Sequence, residues 1–209
     1  LTADHRLFEA QIAYFASKAN CFVWDPPSHG ASRPYDLVWS LDDKSYLLHE
    51  ILAEEGFAYP ILIGQSMGGF LAQVYMEIFP GEVSGFVAID SAPLKMKYYA
   101  DWELSFLRHT RALYAPIPWR FLLNMGSTGV SETEHGRALM RDMMSSFTKD
   151  DYVDLVSHGY KAIATAIESE RRFKVCCPAI IICGTRDAAG FTKRLSRRWS
   201  QKTNIPLHW

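Results

Sequence analysis

Gly64-Gln65-Ser66-Met67-Gly68 sets a serine between two glycines, a G-x-S-x-G. A serine hydroxyl is a weak nucleophile until a fold exposes it and surrounds it with a base and with donors for developing negative charge. The flanking residues supply the frame. Pro60-Ile61-Leu62-Ile63 is a short apolar run, the pattern of a strand buried on both faces. From Phe70 the period changes: Phe70, Leu71, Val74, Tyr75 and Ile78 recur at helical spacing until Pro80 stops the helix. Strand, tight turn and helix in that order predict a nucleophile elbow, with Ser66 in strained backbone geometry and its Oγ exposed at a helix N-terminus. A Cβ on either Gly64 or Gly68 is expected to crowd such a turn. The Met67 backbone N–H is the expected oxyanion donor.

The elements around the elbow alternate. Leu7, Phe8, Ile12 and Phe15 line one face of a helix within residues 1–18, after a Thr2-Ala3-Asp4 cap signal. Cys21-Phe22-Val23-Trp24 reads as a buried strand, and Pro26 to Pro34 as a loop. Residues 41–57 are helical, with Tyr46, Leu47, Ile51 and Leu52 apolar and Gly56 placed to end the helix. After the elbow come a strand over 83–89, a strand over 178–183, a helix over 191–200 and a last strand over 205–209. Between them, residues 94–173 lose the strand signal, with candidate helices near 102–114, 132–145 and 150–169. The pattern predicts an α/β fold, a doubly wound and mostly parallel sheet, with functional groups at the strands' C-terminal ends. Residues 1–93 and 174–209 would form its core, and 94–173 an inserted helical lid.

Composition narrows the function classes. The chain has 209 residues, 48% hydrophobic and 22% charged, with a net charge of -1, which suits one globular body with a sizeable core. Lys193, Arg194, Arg197 and Arg198 form the longest basic cluster and read as a solvated helix face, so no nucleic-acid partner is expected. No apolar stretch is long enough for a transmembrane segment. Cys21, Cys176, Cys177 and Cys183 lack metal-ligand spacing and read as reduced, mostly buried thiols, which makes a cytoplasmic location the expectation. The chain opens on Leu1 and stops at Trp209 inside a strand pattern, and so reads as the interior of a longer protein.

With these residues in view, the chain resembles the α/β-hydrolase superfamily, in its branch of small lidded serine esterases and lipases. The resemblance covers essentially the whole sequence. Asp25-Pro26-Pro27-Ser28-His29-Gly30-Ala31-Ser32 is similar to the family's D-x-P-G-x-G-x-S loop, with Ser28 where the family usually has glycine. Gly64 to Gly69 matches the elbow, and Gly184-Thr185-Arg186-Asp187 is similar to the family's G-x-x-D. The resemblance implies Ser66 as nucleophile, Asp187 as the acid that orients a histidine, and Asp90 as the alternative acid one strand earlier. It implies that the histidine follows the last strand. None of the seven histidines occupies that place: His208 lies within the strand, His29 in a loop, and the others on helical segments, facing solvent. It further implies that Leu1 donates the second oxyanion-hole N–H if a His-Gly pair precedes it.

The function this implies is hydrolysis of a small or medium-chain carboxylic ester through an acyl-enzyme, without metal or organic cofactor, on a small-molecule acyl substrate. A serine at the elbow argues against relatives that use aspartate there. Amide and carbon–carbon bond hydrolysis remain open on the same residues, as does a hydrolase-fold protein that binds a ligand without turnover. Oligomeric state is not readable from the sequence.

Overall fold

The computed structural model describes residues 1–32, 36–188 and 190–209. In chain order its elements are a 3-10 turn at His5–Phe8, α1 (Glu9–Phe15), α2 (Leu41–Glu54), β1 (Ile61–Gln65), α3 (Met67–Ile78), β2 (Gly85–Ile89), α4 (Asp101–Arg108), α5 (Thr110–Tyr114), α6 (Trp119–Gly129), α7 (Glu134–Ser145), α8 (Lys149–Glu168), β3 (Ala179–Ile182), α9 (Thr192–Thr203) and β4 (Leu207–His208). Contacts divide the chain into two compact units, residues 1–38 with 111–158, and residues 39–110 with 159–209.

The second unit holds the sheet. Its four strands are all parallel, in the order β1-β2-β3-β4. Gly64 pairs with Ala88, Ile89 with Ile182, and Ile182 with His208. Parallel neighbours need crossovers, and the helices between strands provide them. Ala88 and Ile181 are fully buried at the sheet's centre, with Val74, Tyr75 and Phe86 packed nearby in sequence and in the same core. β1 departs from its expected burial on both faces: Ile61 is 62% and Ile63 45% exposed. Side chains alternate along a strand, so these two share one face, and an all-apolar run of four cannot say which face is covered.

α2 starts on a capping box. The Ser40 Oγ accepts the Asp43 N–H at 3.1 Å, and the Asp43 carboxylate accepts the Ser40 N–H at 2.9 Å. It ends where Gly56 turns to φ +75° and the Phe57 N–H reaches the Leu52 carbonyl at 2.8 Å. The buried stripe is Leu41, Lys44, Ser45, Leu48 and Leu52; Tyr46, assigned to the apolar face from sequence, is exposed. Arg171 ties this helix to the next, donating to Asp42 of α2 and, at 2.9 Å, to Glu77 of α3.

The first unit corrects one expected strand. Residues 21–24 are not a strand; the ladder among the described residues runs only through β1 to β4. A strand is made by its ladder, not by an apolar composition. The loop that follows is organised by Asp25, whose carboxylate accepts the His5 N–H at 2.6 Å and the Ala31 N–H at 2.9 Å and lies 3.0 Å from His5 Nδ1. Burial alone would raise this carboxyl, but those hydrogen bonds hold it below the ordinary range. Ser28 has φ +71°, a left-handed conformation that costs a non-glycine residue about 1–2 kcal/mol, and its buried hydroxyl donates to the Asp36 carbonyl. That is the physical content of the family's glycine at this place. Residues 33–35, part of the expected loop, lie outside the described residues.

Residues 91–178, all described, form helices and turns without a strand. α6 was not foreseen; its signal was Pro118 ahead of Trp119 and Leu122, an N-terminal proline before helical spacing. In the first unit Leu122, Met143, Met144 and Leu155 are fully or almost fully buried, a methionine-rich helical core. The thiols are less buried than expected: Cys21 and Cys176 are exposed, Cys177 half-buried and only Cys183 buried, because the first three lie in irregular chain outside the sheet.

Candidate active site

β1 ends at Gln65 and α3 begins at Met67, so one residue makes the turn. That residue is Ser66, at φ 50°, ψ -115°. Backbone of this kind costs about 1–3 kcal/mol and persists only where neighbours over-determine it. Here they do. The Ser66 N–H donates to the Ile89 carbonyl at 2.8 Å, extending the β1–β2 ladder by one step. The Ser66 carbonyl accepts the Ser91 hydroxyl at 2.9 Å and the Gly69 N–H at 3.0 Å. The serine side chain makes no capping bond to α3 and is half-buried, so its hydroxyl is not spent on the helix.

Of the two motif glycines, only Gly64 is held by crowding. A Cβ there would lie 2.3 Å from the Gly68 carbonyl carbon, inside the backbone of α3. At Gly68 a Cβ would meet nothing within 4 Å, contrary to expectation: this residue crowds its neighbour with its backbone, not with a missing side chain. Gly69, part of the motif but with no constraint expected from sequence, is crowded like Gly64, since its Cβ would lie 2.4 Å from the Ser91 hydroxyl. The first N–H groups of α3, Met67 among them, have no carbonyl within the helix to accept them, and the helix dipole favours negative charge there.

Register brings the acids to the same edge of the sheet. Ser66, Asp90 and the loop after Ile182 follow the C-terminal ends of β1, β2 and β3, and the Asp90 N–H donates to Ile182 at 2.9 Å. Asp90, at φ +43°, accepts the Gly184 N–H at 2.8 Å on its carboxylate, while the Asp187 N–H closes a turn onto the Gly184 carbonyl at 3.1 Å. One ligand atom each from Asp90, Cys183 and Asp187 lie within 4.8 Å of one another. The two acids weighed separately in the sequence are therefore neighbours. The three side chains have the donor types of a metal site, but the Cys183 thiol is pushed up to about 11, by burial first and then by Asp90 and Asp187. A thiol in that state is protonated at neutral pH, and the thiolate is the ligand.

Leu1 and His29 fall in the first unit, Leu1 half-buried and His29 buried with Nδ1 3.1 Å from the Pro27 carbonyl. His5, His109, His135 and His208 are exposed, as the sequence implied, whereas His49 and His158 are half-buried. His49 stacks on Phe79 at 3.9 Å and bonds Glu82 at 2.9 Å; His135 bonds Glu9 at 2.7 Å.

Known proteins with this arrangement can now be named. The sequence matches the profile of the alpha/beta hydrolase family over residues 2–206. Among solved structures, an esterase from Thermogutta terrifontis superposes with a TM-score of 0.70 at 14% identity, covering 93% of this chain and 73% of its own. An esterase from Exiguobacterium antarcticum gives 0.70 at 16% identity, covering 99% and 78%. A bromoperoxidase from Bacillus anthracis gives 0.71 at 18%, covering 98% and 78%. Identities this low carry the fold and nothing finer. Comparison with curated proteins returns no match. A strand–serine–helix turn, a parallel sheet and a family profile spanning nearly the whole chain agree: the chain belongs to the α/β-hydrolase family.

Proposed function

We propose that the chain is a serine hydrolase acting on a small or medium-chain carboxylic ester. The observation that carries this reading is Ser66 itself, strained, half-exposed and uncommitted at the head of α3. In this reading the Ser66 Oγ attacks the acyl carbon, the carbonyl π pair moves to oxygen, and the Met67 N–H donates a hydrogen bond to the resulting oxyanion. A histidine takes the serine proton and passes it to the leaving alcohol, and water then releases the acid by the same steps reversed. Family order puts that histidine after the strand ending at His208.

Asp187 is the acid that orients the histidine, and Asp90 holds the Asp187 loop through Gly184. In this reading Asp187 is the histidine's partner and Asp90 a backbone acceptor. Residues 94–173 are, in this reading, the inserted helical lid. The test is turnover of p-nitrophenyl acetate, butyrate and octanoate beside labelling by a fluorophosphonate. Ser66→Ala should lose label and about 10⁴-fold or more in kcat. Turnover that survives Ser66→Ala would sink the reading.

A further inference from the structure

The unit formed by residues 39–110 and 159–209 contains a cavity of about 270 Å³ whose lining does not include Ser66. Tyr98, Phe173 and Trp199, all buried, are among the residues that line it. Gln73 is also a lining residue, with its amide already spent on the Gly69 and Ala92 carbonyls and the Leu94 N–H. Four lysines also line it, Lys95, Lys97, Lys174 and Lys202, and among the described residues no acidic one does.

The lysines are the unusual part. In a chain of net charge -1, four lysines line one small cavity. Among the described residues none of the four is in an ion pair, whereas Arg6, Arg108, Arg111, Arg171 and Arg194 each have a carboxylate. Lys97 and Lys202 each place Nζ 5.5 Å from the centroid of the same Tyr98 ring. A ring face attracts a cation, and an anion bound among lysines offsets their mutual repulsion.

We propose that this cavity is a second binding site, for a small organic anion whose flat apolar body rests on Tyr98, Phe173 and Trp199 while its oxyanion head meets the lysines. The volume sits just under the range of about 300–1,000 Å³ for sites of drug-sized ligands, and admits one ring system. Lysine binds as a compact point charge rather than a planar fork, so the site selects charge and apolar shape more than a particular head geometry. It is independent of chemistry at Ser66.

The experiment is calorimetric titration of the purified protein with 2-naphthoate and with neutral 2-naphthamide. Naphthoate should saturate one site, weaken as salt rises, and bind at least about tenfold more tightly than the amide. Lys97→Gln/Lys202→Gln and Lys95→Gln/Lys174→Gln, at mostly exposed positions, should each weaken naphthoate about tenfold while leaving the melting temperature and any ester turnover unchanged. Binding in Ser66→Ala should match the parent. No saturable binding, equal affinity for the amide, affinity that survives both lysine pairs, or loss in Ser66→Ala would each overturn the proposal. The last would put the acid at the elbow instead.

Discussion

Lys44 shows how much one residue can depart from its type. It lies three residues after Leu41 and four before Leu48, so the helix carries it to the buried face, where it is 2% exposed. Burial lowers its amine from 10.5 to about 8. The unfolded amine keeps its proton to higher pH than the folded one, so the folded state resists protonation and stability rises with pH between those two values. Below about 8 the full penalty applies, on the order of 3 kcal/mol. Lys44→Met should remove this pH-dependent rise and stabilise the protein at pH 7 by up to that amount, read by urea denaturation at pH 7 and pH 10. Tyr75 and Cys183 titrate with the opposite sign at high pH, each having a folded value raised by burial. The difference between variant and parent isolates the lysine.

At the scale of elements, the elbow is a contact between two backbones. β1 and α3 meet where Gly64 faces Gly68, and the asymmetry between these glycines makes a sharp expectation. Gly64→Ala should push β1 and α3 apart and cost about 3 kcal/mol or more, with loss of the Ser66 geometry. Gly68→Ala should be tolerated or gain up to about 1 kcal/mol from helix propensity, since its Cβ meets open space and it lies inside α3. Thermal denaturation of the two variants decides this. Equal losses would mean that the turn does not rest on that close approach. The motif was legible in the sequence because strand, turn and helix are local patterns. The crowding at Gly69 was not, because the atom a Cβ there must avoid belongs to Ser91, on the far side of α3 and β2.

At the scale of the whole molecule, long-range polar ties join elements distant in sequence. Arg171 follows α8 yet bonds Asp42 in α2 and Glu77 in α3, with little of its side chain exposed. Arg171→Ala leaves two carboxylates facing each other without their cation and should cost about 2 kcal/mol, measured as a lower urea midpoint. A midpoint unchanged within error would show that the tie contributes nothing net. The same logic governs the acids, since Asp90 reaches the Gly184 N–H only because β2 and β3 pair in a particular register.

By itself the sequence determined the order of elements, the elbow with its serine, and the resemblance that the family profile bears out, because each rests on spacing within about twenty residues. It over-read residues 21–24, where an apolar run had the composition of a strand but a ladder is needed to make one. Only the tertiary structure decided that Asp90, Cys183 and Asp187 converge, that Lys44 faces inward and that four lysines and three aromatic residues line one cavity. Those meetings depend on parallel register and on crossovers that bring residues about a hundred positions apart into contact, and no local pattern encodes a distance across a sheet.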